Sequence, residues 1–200
     1  MTGAPPTFLF LLASTRTHGN SERLARRAAL ALPESVPMRW IRLADLPLPP
    51  FEDTRHSGGY GDPEGTAAEL ARATLDATDL VVVTPVYWYS LPAEAKRYLD
   101  HWSAWMRAPS LAFRERMRGR RLWVVASDSD REDEGSADPL LDSLRRTAAF
   151  MDMTFAGVLV GHGSRPGEAL EDPAVLAAAD ALFAPVCRPH ADAGPLSSGA

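Results

Sequence analysis

Leu80-Val81-Val82-Val83-Thr84-Pro85-Val86-Tyr87-Trp88-Tyr89-Ser90-Leu91-Pro92 joins an uninterrupted apolar run to a loop with three consecutive aromatics between two prolines. An apolar run without polar alternation suits a strand buried on both faces, the habit of parallel sheets covered by helices. Pro85 and Pro92 each fix their own φ and bias the residue before them toward extended backbone, so the loop is stiff. A helical pattern begins near Ala93. A stiff aromatic loop at the carboxyl end of a central strand is where an open α/β sheet receives a planar ligand. The same rings would equally suit packing under a neighbouring loop or subunit, and on this stretch alone both readings stand.

Upstream, residues 7–13 form another apolar run, followed by Ser14-Thr15-Arg16-Thr17-His18-Gly19-Asn20-Ser21 and a helix with Leu24, Ala28 and Leu32 on one stripe. Strand, short polar loop and helix make the geometry of an anion site, because the first backbone N–H groups of a helix lack intrahelical acceptors. The hydroxyls of Ser14, Thr15, Thr17 and Ser21 add donors and Arg16 adds positive charge. The loop is neither a Walker A nor a GxGxxG motif, so neither ATP nor Rossmann-type NAD binding is supported. A plain turn capped by Asn20 or Ser21 is the simpler alternative. His18 reads as a solvated or backbone-bonded side chain.

Met38-Arg39-Trp40-Ile41-Arg42-Leu43 is expected to be an edge strand, because its arginines suit an edge better than the centre. Residues 44–65 are rich in proline and glycine and show no periodicity, which predicts a long binding loop with a mobile second half. Thr66-Ala67-Ala68-Glu69 has the form of a capping box, opening a helix with Leu70, Ala71 and Leu75 inward. After the aromatic loop, Tyr98, Leu99, Trp102, Trp105 and Met106 fall at helical spacing. That stripe is first a core face, and its bulk makes Trp102 and Trp105 candidates for a subunit contact. Arg114-Glu115-Arg116-Met117-Arg118-Gly119-Arg120-Arg121 reads as a solvated basic turn, or as an attractor for the extra phosphate of NADPH.

A fourth strand spans residues 122–126, and Ser127 leads an acidic loop with Asp128, Asp130, Glu132, Asp133 and Glu134. Its spacing lacks the turn glycine and distal glutamate of an EF-hand, so no metal is expected. Asp138-Pro139 and Asp172-Pro173 each open a helix in cap-then-proline order, around a fifth strand at residues 155–160. Residues 1–187 are expected to form one domain, and residues 188–200 a disordered tail.

The charge excludes bulk electrostatic capture of nucleic acid: 26 acidic against 21 basic residues leave a formal −5. One cysteine, Cys187, permits no intrachain disulfide. The apolar run at the N-terminus lacks the positive flank of a signal peptide, and no run reaches the roughly 18 apolar residues of a membrane span. The expected compartment is the cytoplasm.

Five strands alternating with helices predict an α/β, doubly wound parallel sheet of order 2-1-3-4-5, helices on both faces, the flavodoxin-like arrangement. Through the Ser14 to Ser21 loop and the Thr84 to Pro92 loop, the chain resembles the NADPH-dependent FMN reductase family of flavodoxin-like quinone, azo and nitro reductases. The resemblance implies bound FMN. Ser14, Arg16, Asn20 and Ser21 would hold its phosphate. Pro85, Val86, Tyr87, Trp88 and Tyr89 would line its ring, and Ser127 with Asp128 would approach it. It further implies an NAD(P)H oxidoreductase with NADPH or NADH as co-substrate, a small quinone, azo, nitro or flavin acceptor, and a homodimer. Family members commonly carry neutral, glycine-rich sequence where this chain has Ser127-Asp128-Ser129-Asp130-Arg131; negative charge there would lower the flavin's potential. Alternatives are an electron-transfer protein like flavodoxin itself, a flavin-dependent tailoring enzyme of specialised metabolism, and a flavin-free binding protein. Carriers are usually more acidic around the flavin, and the Tyr-Trp-Tyr loop fits the reductases better.

Overall fold

The structure, a computed structural model, describes residues 5–129 and 135–187. Its strands are β1 (Phe8–Leu12), β2 (Met38–Arg42), β3 (Asp79–Pro85), β4 (Arg121–Asp128) and β5 (Thr154–His162). All neighbours pair in parallel, in the order β2-β1-β3-β4-β5. The helices are α1 (Asn20–Ala29), α2 (Gly65–Asp76), α3 (Ala93–Trp105), α4 (Phe113–Met117), α5 (Asp138–Phe150), α6 (Pro173–Ala181) and α7 (Ala184–Cys187).

Alternation along the strands divides the core in two. Leu9, Leu11, Val82 and Val124 face α2, α3 and α5, whereas Phe10, Val81, Val83 and Trp123 face α1 and α6. Phe183 meets both Phe8 and Trp123 edge-on at 5.1 Å, in the favoured geometry for aromatic pairs. Glycine at position 161 lets α1 approach β5 closely: a Cβ there would lie 2.5 Å from Leu24 Cδ1. These contacts hold the start of α1 against the carboxyl rim of the sheet.

Several local expectations fail, each for a physical reason. The capping box does not form: Glu64 caps α2 without a side-chain bond, and Thr66, already helical, donates its hydroxyl to Pro47 O at 3.0 Å. Ala137 caps α5, so Asp138 lies inside the helix, whereas Asp172 does cap α6, accepting Ala174 N–H at 2.8 Å. Trp102 and Trp105 are buried inside the subunit among Tyr98 and Phe113, not on a surface. The basic run is no simple turn, since it holds α4, and Arg114 and Arg118 approach Asp152. It also ends at the amino end of β4. Eight residues at about 3.3 Å each separate the two rims by roughly 25 Å, so it stands away from the carboxyl-rim loops.

The loop after β2 is more fastened than its composition suggests. His101 Nε2 bonds Pro49 O at 3.0 Å, Ser110 Oγ donates to Asp62 at 2.6 Å, and Gly59 N donates to Thr54 O at 2.9 Å. Among the described residues no helix is long and apolar enough to cross a membrane. Residues 188–200, expected as a tail, and Asp130 to Glu134 of the acidic loop lie outside the described residues.

Candidate functional site

Loops following β1, β3, β4 and β5 meet at the carboxyl rim around a cavity of about 270 Å³, open on one side. Ser14, Arg16, Asn20, Ser21, Pro85, Val86, Tyr87 and Ser127 line it, together with Asp128, Thr17 and Gly19. The lining does not include Trp88 or Tyr89. Its volume lies near the small end of the roughly 300–1,000 Å³ typical of ligand pockets, and its open side lets a larger ligand extend beyond it.

The β1–α1 loop is built from below. Ser14 Oγ accepts Arg16 N–H at 3.0 Å, a short turn made by the side chain itself. His18 sits at φ 56°, and its N–H reaches the Glu22 carboxylate at 2.9 Å. Arg42, at the end of β2, donates to Ser14 O at 3.1 Å, Arg16 O at 2.8 Å and Glu22 Oε2 at 2.7 Å. Burial pushes the Glu22 carboxyl up, but the bonds from Arg42, Arg26 and the His18 amide outweigh it and bring the pKa down to about 2.

Above this foundation the donors stay uncommitted. Gly19 caps α1 without a side-chain bond, and the N–H groups of Asn20 and Ser21 meet no acceptor among the described residues. Arg16 is exposed and makes no ion pair among the described residues. Beyond its chain neighbours, a Cβ at Gly19 would meet no atom of the described residues within 4 Å, which leaves room before the helix for a ligand. Uncommitted N–H groups, buried hydroxyls and one free guanidinium are the donor set a phosphate requires, and these residues fit an FMN phosphate.

The Asn20 side chain is already engaged within the protein. Its side-chain amide donates to Gly163 O at 2.7 Å and Arg165 O at 3.0 Å and accepts from Gly167 N at 2.7 Å. It ties the β5 loop to the start of α1, leaving its backbone N–H for a ligand. Gly163 permits this approach: a Cβ there would stand 2.8 Å from Ala169 N.

The β3–α3 loop is a tight hairpin. Tyr87 and Ser90 exchange backbone bonds at 3.1 and 3.0 Å, and Trp88 and Tyr89 between them have φ of 51° and 63°. Two successive positive φ values mark a type I′ turn, which normally takes Asn-Gly. Left-handed backbone costs a residue with a Cβ roughly 1–2 kcal/mol, so two aromatics hold this turn against strain. Trp88 is 93% exposed and Tyr89 54%. Val86 N donates to Ser127 O at 2.8 Å, joining the hairpin's base to β4.

At the end of β4, the Asp128 carboxylate accepts Ser136 Oγ–H at 2.5 Å and contacts His162 Nδ1 at 2.5 Å. Both oxygens are therefore engaged. The sequence pattern did not mark Arg42, Glu22, His162 or the Gly163, Ser164 and Pro166 wall for the site. The one local signal was Gly161-His162-Gly163 closing a strand.

A family model described as flavodoxin-like fold matches residues 6–184. The chain is 31% identical over 171 residues to a Bacillus subtilis (strain 168) protein provisionally named NAD(P)H-dependent FMN-containing oxidoreductase YwqN, covering 84% of this chain and 92% of that one. It is 24% identical over 183 residues to the FMN-dependent NADH:quinone oxidoreductase of Bordetella parapertussis, covering 81% and 86%. The solved structure of the Trp repressor binding protein from Bacillus subtilis superposes with a TM-score of 0.70 at 25% identity, over 88% of this chain and 97% of that one.

Proposed function

The chain belongs to the flavodoxin-like family, and from that premise we propose that it is an FMN-dependent NAD(P)H oxidoreductase acting on a small quinone, azo, nitro or flavin acceptor. One observation carries the reading: an Arg16 and helix-start amides without partners among the described residues share a cleft with the base of a strained aromatic hairpin. When bound, FMN supplies hydride acceptance from a nicotinamide and hydride donation to the acceptor. Ser14, Arg16, Ser21 and the backbone of Asn20 hold the phosphate. Pro85, Val86 and Tyr87 form one wall for the ring, with Trp88 and Tyr89 at its exposed edge, and Ser127, the register partner of Pro85 on β4, extends that wall.

Asp128 is the only carboxylate among the described residues lining the cleft, and its oxygens are already bonded. The donor is NADH or NADPH, and the basic run of residues 114–121 lies on the other rim of the sheet. The proposed assembly is a homodimer, supported by a groove between α3 and α5 where Phe150 is exposed beside Leu99 and Met106. A cytoplasmic location, where reduced nicotinamide is supplied, completes the proposal.

Purified protein reconstituted with FMN tests the reading under anaerobic conditions. NADH or NADPH should bleach the flavin absorbance, and a quinone or azo dye should restore it. Protein that takes up no FMN, or whose flavin neither nucleotide bleaches, would refute it.

A further inference from the structure

Arg42 ends the edge strand β2, yet its side chain is only 12% exposed and reaches three acceptors on two segments. One guanidinium group takes the carbonyls of Ser14 and Arg16 on Nη1 and the carboxylate of Glu22 on Nη2, a planar two-nitrogen fork that an ammonium, with its three donors on a single atom, does not reproduce. In a trans peptide the carbonyl and the following N–H point opposite ways. Fastening Ser14 O and Arg16 O to Arg42 therefore sends the N–H groups of Thr15 and Thr17 the other way, and Thr17 lines the cleft. Glu22 poses the complementary problem. Its carboxylate, 4% exposed, lies under the first turn of α1, where it would repel a phosphate if left bare. Arg42 at 2.7 Å and Arg26 at 2.8 Å neutralise it.

We infer that Arg42 is the positioning residue of the phosphate end of the cleft, setting a preference for FMN over riboflavin by orienting the peptide planes of residues 14–17 and masking Glu22. The inference rests on the reading above that the FMN phosphate sits at this loop. Riboflavin has the same ring and ribityl chain without the phosphate, so the ratio of the two affinities isolates this end of the site.

The test is fluorescence titration of apo-protein with FMN and with riboflavin, for the wild type, Arg42→Lys, Arg42→Ala and Arg42→Ala/Glu22→Gln. Arg42→Lys keeps the charge and one contact, so it guards against a misfolded alanine variant. Both single variants should lose about tenfold of the FMN-over-riboflavin ratio while riboflavin affinity stays within about twofold. Adding Glu22→Gln to Arg42→Ala should recover part of the ratio, because the unmasked charge is gone. A ratio unchanged in Arg42→Lys, or equal weakening of both flavins, would overturn the inference while leaving the site intact. A wild type that binds the two flavins equally would overturn the phosphate reading itself, and the inference with it.

Discussion

The two rims of the sheet use a carboxylate–arginine pair to different ends. At the amino rim, Asp79 is 0% exposed, and its carboxylate takes Arg121 at 2.6 and 2.7 Å, Trp123 Nε1 at 2.8 Å and Thr78 Oγ1 at 2.7 Å. The donors that meet Asp79 are taken within the protein. At the carboxyl rim, buried Glu22 pairs with Arg42, but the two brace a loop whose Arg16 and helix-start amides stay free among the described residues. A carboxylate–arginine pair alone thus says little about function. What separates a structural staple from a foundation is whether uncommitted donors remain above it.

The largest effect should come from the closed end. Asp79→Ala leaves the buried Trp123 indole N–H without its acceptor, while the partly exposed Arg121 can turn to solvent, and a buried donor left unpaired costs about 1–3 kcal/mol. Chemical denaturation should show that loss, while FMN affinity of the folded fraction stays unchanged; a parallel loss of FMN binding would mean the rims are not separable. At the open end the pattern inverts. Arg16→Ala should weaken FMN at least about tenfold, or about 1.4 kcal/mol, with the apo melting temperature unmoved. Equal FMN affinity in that variant would remove Arg16 from the site.

The strained hairpin sharpens the contrast further. Trp88→Asn/Tyr89→Gly installs the favoured type I′ pair and should raise stability by about 1 kcal/mol while slowing acceptor reduction. A double variant that is no more stable would show the turn to be unstrained. The last effect is confined to acid. The pKa of Glu22 is lowered from 4.5 to about 2, so its contribution is complete above the unfolded value and lost as pH falls through the folded one. Melting temperatures between pH 5 and pH 2 should therefore fall less in Glu22→Gln than in the wild type.

Strand order and the three loops carrying the proposed site residues were legible because apolar runs and Ser/Thr/Gly or Pro/aromatic loops are local signals. The missing parts are long-range. Asn20 bonds partners more than 140 residues away, and Arg42 reaches Glu22 across 20 residues from a strand whose arginines suggested only an edge. No periodicity encodes such pairings. Trp102 and Trp105 misled for the opposite reason: their stripe was found, but bulk alone does not distinguish a thick core from a subunit face. The capping box failed because the tertiary partner Pro47 O took the Thr66 hydroxyl instead.

A crystal structure grown with excess FMN addresses the central claim most directly. The account predicts phosphate oxygens within hydrogen-bonding distance of the Arg16 guanidinium and the Ser21 amide, with Arg42 still bound to Arg16 O. A nucleotide seated elsewhere, with its phosphate away from residues 14–21, would contradict it.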